Sequence, residues 1–132
     1  SYLEEAKASL KRAEKNFEDG DLLWATVVIY YAEYYALYAF LQRIGAKSEN
    51  HFCSILAATF LLGDEKTQII NQHKEKRIDA QYYMKVDREE QIGEMLKEAK
   101  MFVSVFDELV SNINKEQVTS YRSRLEKHAR VK

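Results

Sequence analysis

The chain has 132 residues, 46% of them hydrophobic and 31% charged, which excludes a disordered polypeptide and predicts one packed unit over residues 1–132. Its 20 basic and 21 acidic side chains leave a net charge of −1. That balance excludes a field drawing the whole molecule to nucleic acid or an anionic membrane, while leaving room for a local basic patch.

Proline is absent and glycine occurs four times, so helix breakers are few. The one cysteine, Cys53, cannot close an internal disulfide. It fits a reducing, cytoplasmic setting and the role of a small buried apolar residue. No basic start followed by an apolar run and a cleavage site is seen, so no secretory leader is expected.

Residues 2–18 place Leu3, Ala6, Leu10, Ala13 and Phe17 at steps of three and four, one apolar stripe on a helix. Gly20 is suited to a left-handed cap and Asp21 to N-cap the helix that follows. That second helix, from about Leu22 to Arg43, is apolar nearly all round. Ala25, Ala32, Ala36 and Ala39 form one face. Trp24, Tyr31, Tyr35 and Tyr38 form another, and Thr26, Tyr30, Glu33, Leu37 and Phe40 a third. A bundle of this size can hardly hide all three, and a subunit interface is a natural use for the remainder. Leu22 to Leu41 approaches the length of a membrane span, but it carries Glu33 near its middle and five tyrosines, so no membrane association is expected.

Gly45 stops the helix, and a polar loop runs to about Asn50. A third helix spans about His51 to Leu62, with Phe52, Ile55, Leu56, Phe60 and Leu61 apolar. Gly63-Asp64 then ends it and caps a fourth helix reaching the region of Ala80. Tyr82 to Asp87 reads as a loop, and Asp87 with Glu90 as a capping-box-like pair. The fifth helix carries Ile92, Leu96, Ala99, Val103, Phe106, Val110 and Ile113 in an unbroken seam. A last helix starts near Glu116 and ends in a basic tail of Arg122, Arg124, Lys127, His128, Arg130 and Lys132. The expected fold is all-α: an up-and-down four-helix bundle with additional short helices.

No glycine-rich phosphate loop is present, which excludes a Walker-type or Rossmann nucleotide site. His-Glu-x-x-His and the Glu-x-x-His pair of di-iron bundles are absent, and His51 with Cys53 is too sparse for zinc, so no metal and no cofactor are expected. Arg77 stands out. It shares a stripe of the fourth helix with Ile70, His73, Ala80 and Met84, where a guanidinium must find a partner or escape to water. Glu33, the only acid in the 20-residue apolar segment, has the same problem, and the two are expected to lie close. Three uses of Arg77 stay open: an ion pair fixing register, an electropositive phosphate pocket shared with Tyr82 or Tyr83, or a side chain that reaches solvent. The cluster Tyr30, Tyr31, Tyr34, Tyr35 and Tyr38 reads as core or interface, with base stacking as the alternative. The basic tail favours the helix dipole, with RNA binding as its alternative.

The string Tyr30-Tyr31-Ala32-Glu33-Tyr34-Tyr35-Ala36-Leu37-Tyr38-Ala39 resembles the Tyr-Tyr-Ala-x-Phe-x-Ala-type signature of HEPN domains, and Gly45 and His51 follow it as in that family. Arg77-Ile78-Asp79-Ala80-Gln81-Tyr82 is similar to the Arg-x-x-Ala-Asp-Tyr element of a prokaryotic HEPN subfamily. Ala99-Lys100-Met101-Phe102-Val103 resembles the family's Ala-x-x-Phe-Val helix. The resemblance covers roughly residues 3–114. It implies a four-helix bundle that pairs as a homodimer and acts with a minimal nucleotidyltransferase, in toxin–antitoxin-like pairs. Many such proteins are metal-independent endoribonucleases with an arginine followed four to six residues later by a histidine. Here Tyr82 stands in the histidine's place, and a phenol with pKa near 10 is a poor base. Arg122 and His128 have the required spacing but lie in the terminal helix. The resemblance therefore implies a nucleotide- or RNA-phosphate-binding module, with an endoribonuclease and a pure interaction subunit as alternatives. The ligand-binding candidates are Arg77, Tyr82, Glu33, Asp79, Tyr83, Tyr30 and His51.

Overall fold

The structure is a computed structural model that describes residues 1–46, 48 and 50–131, with backbone only for Arg130 and Val131. Six α-helices account for the described residues: α1 Tyr2–Glu18, α2 Leu22–Arg43, α3 His51–Leu62, α4 Asp64–Tyr83, α5 Glu89–Asn112 and α6 Lys115–Val131. No strand occurs among them, as the all-α expectation requires. Helices α1, α2, α4 and α5 pack around one another, α3 braces α2 and α4, and α6 lies on α3.

The central element is α2, because it is apolar on more faces than any single neighbour can cover. Ala25 and Ile29 meet Ala13 of α1 and Ile92, Met95, Leu96 and Ala99 of α5 in one apolar cluster. Further along, Tyr30, Ala36, Leu37 and Phe40 join Ile55, Ile70, Phe102 and Phe106 in a second. The α5 seam is buried from Ile92 through Phe106, and Phe102 stacks on Phe106 at 4.6 Å. The face of α2 carrying Tyr31, Tyr35 and Tyr38 is only half-buried, and Trp24 is 49% exposed.

The ends follow local chemistry. Gly20 takes a left-handed backbone (φ +79°), and the Asp21 side chain accepts from the Trp24 N–H at 3.2 Å. At the end of α2, the Arg122 Nε donates to the Ile44 carbonyl at 2.7 Å, so a cation from α6 caps a carbonyl at the helix C-terminus. Gly45 takes a left-handed backbone (φ +77°), and a Cβ there would come to 2.7 Å of the Arg122 guanidinium, which would have to shift. Arg122 of the basic tail thus ties α6 to α2. Arg124 and His128 in turn lie against Phe60, the His128 ring stacked at 4.0 Å. The Arg130 side chain and Lys132 lie outside the described residues.

Four expectations need correction. Helix α4 does not stop near Ala80. With no glycine or proline before Met84 it runs to Tyr83, and Met84 itself turns left-handed (φ 57°) while Lys85 N–H bonds the Asp79 carbonyl at 2.9 Å. The cap of α5 is Arg88, whose N–H donates to the Gln91 side chain at 3.1 Å. Asp87 instead pairs with Lys76 at 2.9 Å. Asp64 is not a cap but the first residue of α4, after Gly63. Cys53 is exposed, because α3 buries only its Ser54, Ile55, Ala58 and Leu61 side. No helix among the described residues is long and apolar enough to cross a membrane.

The Phe106 ring is fully buried between Phe102 and the edge of Phe40. Phe106→Ala should therefore lower unfolding free energy by about 3–5 kcal/mol, read from urea denaturation with an unchanged m-value. A loss below about 1 kcal/mol would contradict this packing.

Candidate functional site

Glu33 lies at 0% exposure on α2, where an unpaired carboxylate is costly. Its partner is His73 of α4: Nδ1 and Glu33 Oε2 are 2.7 Å apart. The other ring nitrogen of His73 reaches Glu98 of α5 at 3.2 Å, so one imidazole links three helices. Burial pushes the Glu33 carboxyl up to about 7, against the opposing pull of His73. Burial alone would depress His73, yet its bonds to Glu33 and Glu98 outweigh that and hold it above the ordinary histidine value. Glu33 Oε1 is buried without a hydrogen-bond partner.

The proposed Glu33–Arg77 pair is therefore not formed. His73 and Arg77 are one turn apart on the same stripe of α4, and the shorter imidazole takes the buried carboxylate. Arg77, half-buried, lies instead on a bed of aromatic rings. Its guanidinium carbon is 5.1 Å from the Tyr30 ring centre, 5.3 Å from that of Tyr31 and 6.0 Å from that of Tyr82. One terminal nitrogen donates to the Tyr31 hydroxyl at 3.2 Å. The Nε is buried with no partner among the described residues, as is Gln81 Oε1 one turn on. Among the described residues Arg77 is in no ion pair; the acids nearest in sequence, Glu75 and Asp79, do not engage it. Among the described residues its charge meets only cation–π contacts and one neutral hydrogen bond, which suits it to an anion.

His51, at the start of α3, lies against the same rings as Arg77. It stacks on Tyr34 at 3.7 Å, sits 5.8 Å from both Tyr30 and Tyr31, and shares a 3.0 Å hydrogen bond between Nδ1 and the Tyr30 hydroxyl. Burial, then the charges of Arg77 and Lys74, hold His51 below the ordinary histidine value, so it is neutral at pH 7. Burial keeps the Tyr30 hydroxyl protonated well above its usual range, despite Arg77. Two tautomers satisfy this pair. When Tyr30 donates, His51 Nε2 carries the proton and is a donor; when Nδ1 donates, Nε2 is a base.

Of the residues singled out from the sequence, the fold brings Arg77, Tyr30, Tyr82 and His51 together. It does not bring Glu33, which the His73 contact holds in the core. Asp79 serves the end of α4 through its carbonyl. Tyr83 is 66% exposed and makes no aromatic or side-chain hydrogen-bond contact among the described residues. Sequence reasoning missed Tyr31 as the direct Arg77 partner and His73 as the Glu33 partner. The signal for the second was present, since His73 shares the Arg77 stripe. No group of three His, Cys, Asp or Glu side chains among the described residues is placed to hold a metal ion.

A family model described as HEPN domain matches residues 1–109, which takes in α1 to most of α5 and leaves α6 outside. No curated protein matches the chain.

Glu33 and His73 both hold protons more tightly folded than unfolded. Their stabilisation is complete below the unfolded pKa values and is lost as pH rises through the folded ones: across 4.5 to about 7 for Glu33, and above 6.5 for His73. The urea midpoint should thus fall between about pH 6 and pH 8, and Glu33→Gln should flatten that fall. A wild-type midpoint that rises over this interval would be inconsistent with the buried pair.

Proposed function

The chain belongs to the HEPN domain family, and from that premise we propose that it is a nucleotide- or RNA-phosphate-binding module whose anion contact is Arg77. One observation carries the reading: a half-buried guanidinium on tyrosine rings, with an unpartnered Nε and no carboxylate partner among the described residues. Phosphate oxygens match a guanidinium's forked donors, and a partly desolvated site strengthens the contact. The neutral His51 beside it adds a donor without competing for the charge. Tyr82, 66% exposed beside Arg77, offers a π-face to a base.

The module acts with a minimal nucleotidyltransferase subunit in a toxin–antitoxin-like pair, and it works as a homodimer in the cytoplasm. Pairing of copies is supported by exposed apolar side chains, Leu56 at 49% and Phe60 at 39% on α3 and Trp24 at 49% on α2.

Calorimetric titration with a 5′-nucleotide tests the binding reading. Arg77→Ala should weaken binding by about tenfold or more, the scale of one charge-assisted hydrogen bond, with circular dichroism unchanged. Equal, weak heats for both proteins would end it.

A second reading, metal-independent endoribonuclease, is favoured by His51. The fold supplies from α3 an imidazole that the sequence does not supply after Arg77, and the tautomer with Nδ1–H bonded to Tyr30 leaves Nε2 able to take a 2′-hydroxyl proton. Incubation with total RNA in chelator discriminates. Under this reading cleavage is lost in both Arg77→Ala and His51→Ala and survives His128→Ala. Intact RNA after prolonged incubation removes the enzyme and leaves the binding module.

A further inference from the structure

Arg77 is not the only cation on its face of α4. Lys74, one turn earlier, has its Nζ 5.2 Å from the ring centre of Phe52 on α3. Phe52 follows His51 directly and is 61% exposed. His51 and Arg77 lie against the same Tyr30 and Tyr31 rings, and Lys74 lies against the next residue, Phe52. Among the described residues neither cation is in an ion pair, whereas Lys76 between them takes Asp87 at 2.9 Å. The surface is therefore a row: an exposed ring with a cation (Phe52, Lys74), then a cation with an exposed ring (Arg77, Tyr82).

From this row we infer that Phe52 and Lys74 form a second, base-stacking subsite beside Arg77, so that the ligand is a single strand of two or more nucleotides rather than a mononucleotide. The inference rests on Arg77 being the phosphate contact. Length follows from geometry. Lys74 and Tyr82 are eight residues apart on one helix, roughly 12 Å along its axis. A base held between two rings spans two stacking steps, ~7 Å, so one base does not bridge the Lys74 and Tyr82 ends of this face. Alternating rings and cations, the latter in no ion pair among the described residues, suit a strand, whose bases stack while its phosphates follow the charges. A protein partner fits less well at Phe52. Burying the Lys74 ammonium against another chain without an acid would leave an uncompensated charge, and among the described residues no acid of this chain pairs with it.

Binding of 5′-AMP, hexa-adenylate and an abasic deoxyribose-phosphate hexamer, measured at fixed salt, tests the subsite. Hexa-adenylate should bind more than tenfold tighter than AMP, beyond the few-fold gain expected from extra binding registers, and the abasic hexamer should lack that gain. Phe52→Ala should weaken hexa-adenylate by about five- to a hundredfold, with Phe52→Trp restoring it. Lys74→Gln should lower the slope of log affinity against log salt by about one. Phe52 is exposed, so these changes leave the core intact. Equal affinity for AMP and hexa-adenylate overturns the subsite while sparing Arg77, as does an abasic hexamer that binds as tightly as hexa-adenylate. Phe52→Ala that changes the oligomeric state but not hexamer affinity overturns it and marks a protein contact. Absence of binding by any of the three probes overturns the Arg77 reading as well.

Discussion

A carboxylate with no exposure, set in the middle of a helix that is apolar nearly all round, is the constraint on which this arrangement turns. Glu33 cannot stay in the core alone, and breaking a buried pair of this kind costs about 3–5 kcal/mol. His73 meets the need at 2.7 Å and, by reaching Glu98 with its second nitrogen, pins α4 to both α2 and α5. Had Arg77 met it, its charge would be neutralised inside the bundle. Because a histidine one turn away does so, the guanidinium is left on its tyrosine bed, in no ion pair among the described residues. With His73 turned inward, Lys74 lies against Phe52 of α3 and Arg77 against the tyrosines of α2.

The surface around Arg77 is composite. Helix α2 contributes Tyr30, Tyr31 and Tyr34, α3 contributes His51 and Phe52, and α4 contributes Lys74, Arg77 and Tyr82. The position of α3 is held from two sides. Its inner residues Ile55, Ala58 and Leu61 enter the core, and its outer Phe60 is contacted by Arg124 and His128 of α6. Helix α6 is itself anchored on the α2 terminus by Arg122 and Gly45. The segment beyond the family match thus holds in place the helix that carries the imidazole.

Much of the fold was legible in the sequence, because helices with clean periodicity and few breakers leave little choice. The α5 seam, the alanines of α2 and the Gly20-Asp21 junction all appear where the pattern puts them. Legibility failed where periodicity is degenerate. Stripe membership turned both His73 and Arg77 toward α2 but could not say which would reach Glu33; that depends on side-chain length and depth. In α3, which is apolar nearly all round, no pattern distinguished the buried Ile55 from the exposed Phe52 and Leu56, and Cys53 was misplaced for the same reason. The reach from Arg122 to Ile44 spans 78 residues, and no local signal announces it. Of the candidate site, Arg77 and Tyr82 were visible as an element, whereas the convergence of His51 with them is a product of tertiary packing.

The central claim is that Glu33 is satisfied by His73 and not by Arg77. Two double-mutant cycles on unfolding free energy at neutral pH address it, one pairing Glu33→Gln with His73→Gln and the other pairing Glu33→Gln with Arg77→Gln. A coupling of about 1 kcal/mol or more is expected in the first cycle and, in the second, a value within about 0.5 kcal/mol of zero. Strong coupling between Glu33 and Arg77, with none between Glu33 and His73, would contradict it.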